Sequence, residues 1–521
     1  MNQKNRWGNI LYDIPPALVV YFVALPLCLG IAVGSNAPAF AGLMAGIIGG
    51  IVVGTISGSQ LSVSGPAAGL ITVVTAGLAL LPSFEVFLLA VVLAGVFQLI
   101  FGYLKAGAFG DFIPVSVIKG MMAAIGFTLI LKQAQHLVGW DHDFEGDESF
   151  FQPDGDNTFT GLQHACESIT EGPLVVGLIS LTILILWEQK FMKKLAFTKI
   201  IPGSLVAVFV GIGFNEIWGS TNSSFLIESE HLVAVPVSGG FDSFKSLLIY
   251  PDFTAIGNLD VWKTAVIIAL IASVETLLGI EAVDKMDPQK RRTPTNKELG
   301  AQGVGNILSG MLGGLPITSV VVRSSANVQA GARSKWSAIL HGVFILVSVV
   351  FFAPLLNHIP LSVLAAVLVF VGYKLTSIKV FRDLYSQGWS QFVPFLITFV
   401  AILFSDLLRG VALGILVGVF FIIRSNFHSA IKIYQDGNNY LLRFDRQVTF
   451  LNKTILKQHL YSLPNGACLL IDTTQCNFID QDIIDIMKDF SVSVAERNIE
   501  VSLKPVPVGK TQHLNMFSTT F

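Results

Sequence analysis

Apolar runs of helix-spanning length recur along most of the chain, and no other feature restricts the fold as strongly. Three of them are "VFLLAVVLAGVFQLIFGYL" (86–104), "PLVVGLISLTILILW" (173–187) and "FVPFLITFVAILF" (392–404). About 20 such residues in a helix cross the hydrocarbon core of a bilayer. The runs are too numerous to share one buried core. Only 13% of the 521 residues are charged, against about 25% in a soluble domain. The chain therefore reads as an all-α polytopic membrane protein with the lipid bilayer as its solvent.

Fourteen hydrophobic segments are expected, at 13–33, 38–57, 62–81, 84–104, 113–135, 172–189, 201–218, 262–283, 300–313, 317–331, 336–356, 359–374, 391–408 and 410–427. Lys and Arg concentrate in cytoplasmic loops, which tests this count. With the N-terminus inside, segments six, eight, ten and twelve must end in the cytoplasm. They are followed by "KFMKKLAFTK", by "DKMDPQKRRTPTNKE", by "ARSKW", and by Lys374, Lys379 and Arg382. On the opposite side, the stretch 139–171 has nine acidic residues and no Lys or Arg. The alternation predicts a multi-pass membrane protein with both termini inside; the membrane expected is a bacterial cytoplasmic (inner) one. The first segment lacks a small-residue cleavage site and reads as a retained span, not a signal peptide.

Beyond about residue 430 the composition becomes that of a soluble domain. "NNYLLRFDRQVTFLN" alternates as strands do, "ACLLIDTTQC" reads as a buried strand running into a loop, "DQDIIDIMKDFSVSVAERN" as an amphipathic helix and "IEVSLKPV" as a strand. The domains expected are thus 1–430 in the membrane and 431–521 as a small cytoplasmic α/β domain. The four cysteines have no CxxC spacing and the nine histidines no paired-ligand spacing, so neither a zinc site nor an embedded metalloenzyme is indicated. No phosphate loop of the form GxxxxGK[ST] occurs, which argues against ATP-driven pumping. A net charge of −2 points to no nucleic acid partner. An enzyme is not expected, and neither a metal nor a cofactor is implied. "DHD" (141–143), in a polar external loop, is the one weak metal candidate.

Two segments are interrupted. Gly65-Pro66 breaks the third and Pro316, after Gly313-Gly314, breaks the tenth. Proline removes a backbone donor and stops a helix running through it. Irregular backbone at membrane depth survives only inside protein or beside a water-filled cavity. The spacing is itself informative. "LPLCLG" (25–30) resembles "VETLLG" (274–279) at an offset of 249, and Pro66 and Pro316 are offset by 250. The members of each pair are seven segments apart. An odd number inverts the second half relative to the first, the pattern of 7+7 inverted repeats with a site between paired broken helices.

A half-helix that begins inside the membrane presents unpaired N–H groups and the positive end of its dipole. Two such ends facing one another make a small anion site. The expected substrate-binding residues are Ala67 and Ala68 on one side, and Ser319 with its neighbour Thr318 on the other. Arg323 follows one turn later. An Arg at the bilayer centre costs about 2.5–3.5 kcal/mol on insertion scales, so it must face protein interior or an aqueous path. It reads either as an electrostatic attractor of the anion or as a helix lock paired with a carboxylate or carbonyls. Glu275 in "IASVETLLGIEAV" is the candidate coupling-ion residue. Beside an anion its charge needs cancelling by a proton or Na⁺; the other reading is a static pair with Arg323.

These residues carry a family resemblance. "NKELGAQGVGNILSGMLGGLPITSVVVRSSANVQAGARS" (296–334) resembles the signature region of the SulP anion transporters, relatives of the mammalian solute carrier 26 proteins. "DIPPALVVYFVALPLCLGIAVGS" and "SGSQLSVSGPAAGL" resemble their first and third helices, and the C-terminal part resembles a STAS domain. The resemblance implies a core domain moving against a gate domain, and a homodimer. It also implies substrate between the starts of the third and tenth helices, which adds Val320 and Val321 to Ala67 and Ser319. Glu275 matches the acidic position of the eighth helix, an aspartate near Na⁺ in the sodium-coupled bicarbonate members. A hydroxyl ligand follows one turn later there, whereas Gly279 stands here. In the STAS-like part, Gln481 and Asp482 occupy the loop that carries a phosphorylatable serine in anti-sigma antagonists. Dimerisation or docking of a cytoplasmic partner is the role expected of it.

The expected function is secondary active transport of a small inorganic anion, sulfate or bicarbonate, by alternating access coupled to H⁺ or Na⁺. The alternatives are an uncoupled anion exchanger or channel-like conductor, a nucleobase permease of the same architecture, and a receptor that signals through the STAS-like part.

Overall fold

The computed structural model describes residues 6–144, 149–151, 156–195, 197–199, 201–221, 223–235, 240–427, 430–445 and 447–504. Parts of the acidic 139–171 stretch and the end of the last expected strand lie outside these residues. Packing divides the chain into two units, Met1–Ile415 and Leu416–Phe521, with the division falling inside one helix.

In the first unit each of the fourteen expected segments coincides with a helix. The first seven are α1 (Arg6–Gly34), α2 (Ala39–Ile48), α3 (Ile71–Leu80), α4 (Phe84–Tyr103), α5 (Val115–Leu137), α6 (Glu171–Trp187) and α7 (Gly203–Thr221). The second seven are α8 (Leu259–Met286), α9 (Thr295–Met311), α10 (Val321–Gln329), α11 (Trp336–Phe351), α12 (Leu361–Leu375), α13 (Trp389–Leu403) and α14 (Leu407–Phe427). Among the described residues seven helices, two of them extended by the adjoining helical residues, are long and apolar enough to cross a membrane by length and composition. α3, α11, α13 and α14 are shorter apolar helices. α10 is shorter again, with nine residues.

The interrupted segments differ from the sequence expectation in where their helices start. The tenth was expected to be helical from 317, yet α10 begins at Val321. The intervening residues form a two-residue strand, β2 (Thr318–Ser319), antiparallel to β1 (Ser64–Gly65), with Ser64 opposite Ser319 and Gly65 opposite Thr318. The third segment likewise becomes helical only at a 3-10 turn, Ala68–Leu70, that leads into α3. Backbone pairing outcompetes helix here because the prolines have already removed the donors that would extend it. The Val320 N–H donates to the Val63 carbonyl at 3.0 Å, continuing the ladder.

α9 closes the remaining hydrogen bonds of the break. Glu298, Gln302, Asn306 and Ser309 recur every three or four residues and so share one helical face; all four are fully buried. Asn306 Oδ1 accepts the Ile317 N–H at 2.6 Å, while its Nδ2 donates to the Ile317 carbonyl at 3.0 Å and to Gln98 Oε1 at 2.6 Å. Ser309 donates to the Leu315 carbonyl at 2.6 Å and Gln302 to Ser64 Oγ at 2.8 Å. Side chains thus replace the backbone partners that a continuous helix would have supplied. The backbones of α4 and α9 touch without side chains between them. A Cβ on Gly95 would lie 2.6 Å from the Gly303 carbonyl oxygen, a close approach that small residues permit in membrane interiors.

The second unit contains a four-stranded sheet of β3 (Ile431–Asp436), β4 (Asn439–Phe444), β5 (Cys468–Asp472) and β6 (Glu500–Lys504), in that spatial order. β3 and β4 form an antiparallel hairpin, and the other pairs are parallel. α15 (Lys453–Tyr461) and α16 (Gln481–Glu496) pack on it around Leu442, Phe444, Ile471 and Phe490. β4, β5, β6 and α16 lie where the alternation placed them. β3 and α15 are additions to that reading. Gln481 is the first residue of α16, and Asp482 next to it pairs with Lys453 at 2.6 Å.

Candidate functional site

The starts of α3 and α10 meet at a cavity of about 30 Å³. Ala67, Ala68 and Gly69 form one wall, and Thr318, Ser319, Val320 and Val321 the other. Ala67 and Val320 are the extended residues from which the two helical starts spring. The residues that follow them form the first turns, where unpaired N–H groups and the positive dipole ends lie. Glu275 and Leu278 of α8 complete the floor. A water molecule needs about 10–15 Å³ measured this way, so the space suits one compact anion stripped of its hydration shell.

Seven of the eight expected residues thus line the cavity: Ala67, Ala68, Thr318, Ser319, Val320, Val321 and Glu275. Arg323 is not among the lining residues. Fully buried, it sits behind the β1–β2 ladder, with Nη2 donating to the Pro66 carbonyl at 3.3 Å and the Cys28 thiol beside it. A Cβ on Gly65 would lie 2.1 Å from its Nη1. Nε and Nη1 have no hydrogen-bond partner among the described residues. Arg323 therefore approaches the cavity through one layer of backbone, with its Nη2 bonded to a carbonyl of that layer.

The Glu275 carboxylate, 5% exposed, lies on the bare Cα of Gly69. A Cβ at residue 69 would stand 1.7 Å from Glu275 Oε1. Gly279, one turn along α8, has an equally definite role. A Cβ there would meet the Ser319 carbonyl oxygen at 2.6 Å and Ser319 Oγ at 2.9 Å. The close packing of α8 on β2 leaves no volume for a hydroxyl-bearing side chain at that position.

Thr318 Oγ1 is fully buried in the cavity wall without a hydrogen-bond partner among the described residues. A buried hydroxyl left unsatisfied costs about 1–3 kcal/mol, and a bound anion would supply the missing acceptor. Ser319 and Ser62 share a hydrogen bond at 2.7 Å across the two halves. The opposite face is apolar: Met121 and Ile125 from α5 and Leu407 at the start of α14. Sequence reasoning did not name these three, since buried apolar residues of a membrane helix carry no local mark. The polar face of α9 did leave one, a repeat of polar residues at intervals of four, four and three.

The family model for the sulfate permease family matches residues 10–398. The chain belongs to the sulfate permease family. This is a family of multi-pass anion transporters, not enzymes. The bicarbonate transporter BicA of a Picosynechococcus species is 28% identical over 71% of this chain and 63% of its own length. The sodium-independent sulfate anion transporter of Bos taurus is 23% identical over 93% of this chain and 82% of its own. The inward-facing structure of the murine solute carrier 26 member A9 anion transporter superimposes with a TM-score of 0.69 at 16% identity, covering 98% of this chain and 88% of that one. The mixed sheet and helices of the second unit fit the STAS domain of such sulfate permease relatives.

The "DHD" stretch, the weak metal candidate, has two histidines packed against its first aspartate. Asp141 accepts hydrogen bonds from His136 Nδ1 and His231 Nδ1, each at 2.6 Å. Among the described residues no group of three metal-ligating side chains is assembled there or elsewhere. Burial by itself would raise the Asp141 carboxyl, but the two histidines hold it below its ordinary value. The bond to Asp141 raises His231 above its ordinary 6.5, aided by the nearby Glu230 and Glu228. A raised histidine stabilises the fold fully below its unfolded value and loses that contribution as pH rises through the folded one. The thermal stability advantage of the native chain over His231→Ala is therefore expected at pH 5.5 and should shrink towards pH 8.5. An advantage constant across that range would remove the ion pair from the explanation.

Proposed function

We propose that this protein is a secondary active transporter that carries sulfate or bicarbonate by alternating access, with Glu275 as the proton-binding residue. The reading rests on the unsatisfied Thr318 hydroxyl in a cavity formed by two helical starts. Such a site favours negative charge, and its small size favours a compact inorganic anion over a nucleobase. The Arg323 guanidinium adds positive potential across a dry layer, where screening is weak. Glu275 opposes it unless protonated, so binding of the anion and of a proton reinforce one another. The packing of Gly279 on Ser319 leaves out the hydroxyl ligand of a Na⁺ site and favours H⁺ as the coupling ion. The same reading places the protein in a bacterial inner membrane as a homodimer, with both termini and the STAS-like unit (431–521) in the cytoplasm. There the unit serves dimerisation or partner docking.

The test is uptake of labelled sulfate into proteoliposomes under an inward proton gradient, with bicarbonate as competitor. Accumulation driven by the gradient and lost in Glu275→Gln, with sulfate–sulfate exchange retained, is the expected result. Flux indifferent to pH and Na⁺ gradients would make the protein an uncoupled exchanger. Absence of sulfate uptake beside Na⁺-driven bicarbonate uptake would overturn both the sulfate and the proton assignments.

A further inference from the structure

α11 carries a histidine, His341, within the largely apolar stretch "SAILHGVFILV" (337–347). Its ring is fully buried. Nδ1 lies 2.5 Å from the Ala338 carbonyl oxygen. A carbonyl oxygen only accepts, so Nδ1 carries the proton and donates. Nε2 of the neutral ring then holds a lone pair and needs a donor. It has no hydrogen-bond partner among the described residues. Buried polar groups of native proteins are almost always satisfied, by protein or by ordered water.

Arg323 has the complementary deficit. Nη2 donates to the Pro66 carbonyl, while Nε and Nη1 have donors to spare. Both side chains meet the same bare face of α2. Gly46 lies at the Arg323 end: its Cα is 3.7 Å from the place of a Cβ on Gly65, and that Cβ would be 2.1 Å from Arg323 Nη1. Gly50, in the π-helical turn Gly49–Val53 that continues α2, lies at the other end. A Cβ there would stand 2.8 Å from His341 Cε1. Residues four apart stack on one helical face, about 6 Å apart along the axis. Since both positions are glycine, neither puts a side chain between the two groups. Arg323 and His341 are also close enough for the guanidinium charge to act on the ring.

We infer that one buried water bridges Arg323 and His341, and that His341 is thereby a positioning residue for the guanidinium behind the anion cavity. The water accepts from Arg323 and donates to His341 Nε2. With Nε, Nη1 and Nε2 around it, it has the two to four polar partners that a buried water requires. A halide or oxyanion in that place would accept from the guanidinium but face the Nε2 lone pair, so water fits where an anion does not. Held at Nη2 by the Pro66 carbonyl and through the water by His341, the guanidinium stays aimed at the backbone of the cavity wall. The positioning role rests on the reading above, in which Arg323 adds positive potential for the anion. Without the acceptor the water loses its anchor, the guanidinium is free to turn away, and the pull on the anion weakens.

Two measurements test this. The first is a cryo-EM map of the purified full-length chain at a resolution that shows ordered water. Density for a water within about 3.2 Å of both His341 Nε2 and the guanidinium is expected. A direct Arg323–His341 hydrogen bond, or an Nε2 that faces only carbon, would overturn the bridge. The second is the initial rate of proteoliposome uptake of labelled sulfate or bicarbonate, whichever the native chain carries. His341→Met keeps the bulk of the side chain without a strong acceptor, and should raise KM about tenfold with the maximal rate near native. His341→Gln, whose carbonyl oxygen can replace Nε2, should restore a near-native KM. Arg323→Ala/His341→Met should be no worse than Arg323→Ala alone, because His341 acts only through the guanidinium. A native KM in His341→Met, or effects that multiply in the double variant, would overturn the positioning role. If the native chain carries neither anion, the transport reading fails, while the map still decides the bridge.

Discussion

Replacing Asn306 by alanine is expected to lower the stability of the purified protein by about 2–6 kcal/mol, because two buried backbone groups lose their partners at about 1–3 kcal/mol each. The amide of Asn306 accepts from the Ile317 N–H and donates to the Ile317 carbonyl, next to a proline that admits no helical substitute. Asn306→Asp keeps the acceptor and loses the donor, and should fall between the two. Thermal unfolding in one detergent, read by tryptophan fluorescence, ranks the three proteins. An alanine variant within about 1 kcal/mol of the native chain would mean that water repairs the break and that α9 is dispensable to it.

The second large effect is expected at Gly69. An alanine methyl would sit 1.7 Å from Glu275 Oε1, so either the carboxylate or the start of α3 must move. Overpacking of this kind costs about 1–3 kcal/mol, and if paid at the site it is roughly five- to 150-fold in transport rate. Gly69→Ala should therefore transport poorly. The double variant Gly69→Ala/Glu275→Ala, with the obstructing carboxylate gone, should recover anion exchange while failing to accumulate anion against a gradient. Uptake assays on the single and double variants decide the matter. Native-like uptake by Gly69→Ala would mean that Glu275 does not rest on residue 69 during transport.

What could be read in the sequence follows a simple physical division. Hydropathy and proline act locally, so the fourteen helical segments and both breaks are visible in single stretches of chain. The small residues at the breaks, Ala67, Ala68 and Ser319, were legible for the same reason: only small side chains let an anion reach backbone. Contacts between distant stretches are a different matter. β1 and β2 are too short to show any alternation, and their pairing delays α10 from residue 317 to Val321. Arg323 lies in the first turn of α10, and which way it faces depends on that pairing. His136 and His231, which flank Asp141, are 95 residues apart in the chain, and nothing local marks them as neighbours. Met121, Ile125 and Leu407 have no sequence mark that separates a cavity wall from any other apolar contact.

The ladder between β1 and β2 is reinforced by Ser62 on Ser319, by Ser324 Oγ accepting the Val63 N–H at 2.9 Å, and by Asn327 donating to the Leu61 carbonyl at 2.9 Å. These ties sew the two half-helices into a single stiff insert. Drawing them apart would rupture all of these bonds together, among residues that are buried. The two half-helices thus form one wall of the cavity as a unit, and Met121, Ile125 and Leu407 line its apolar side. On the alternating-access reading proposed above, the anion would enter and leave past that apolar side.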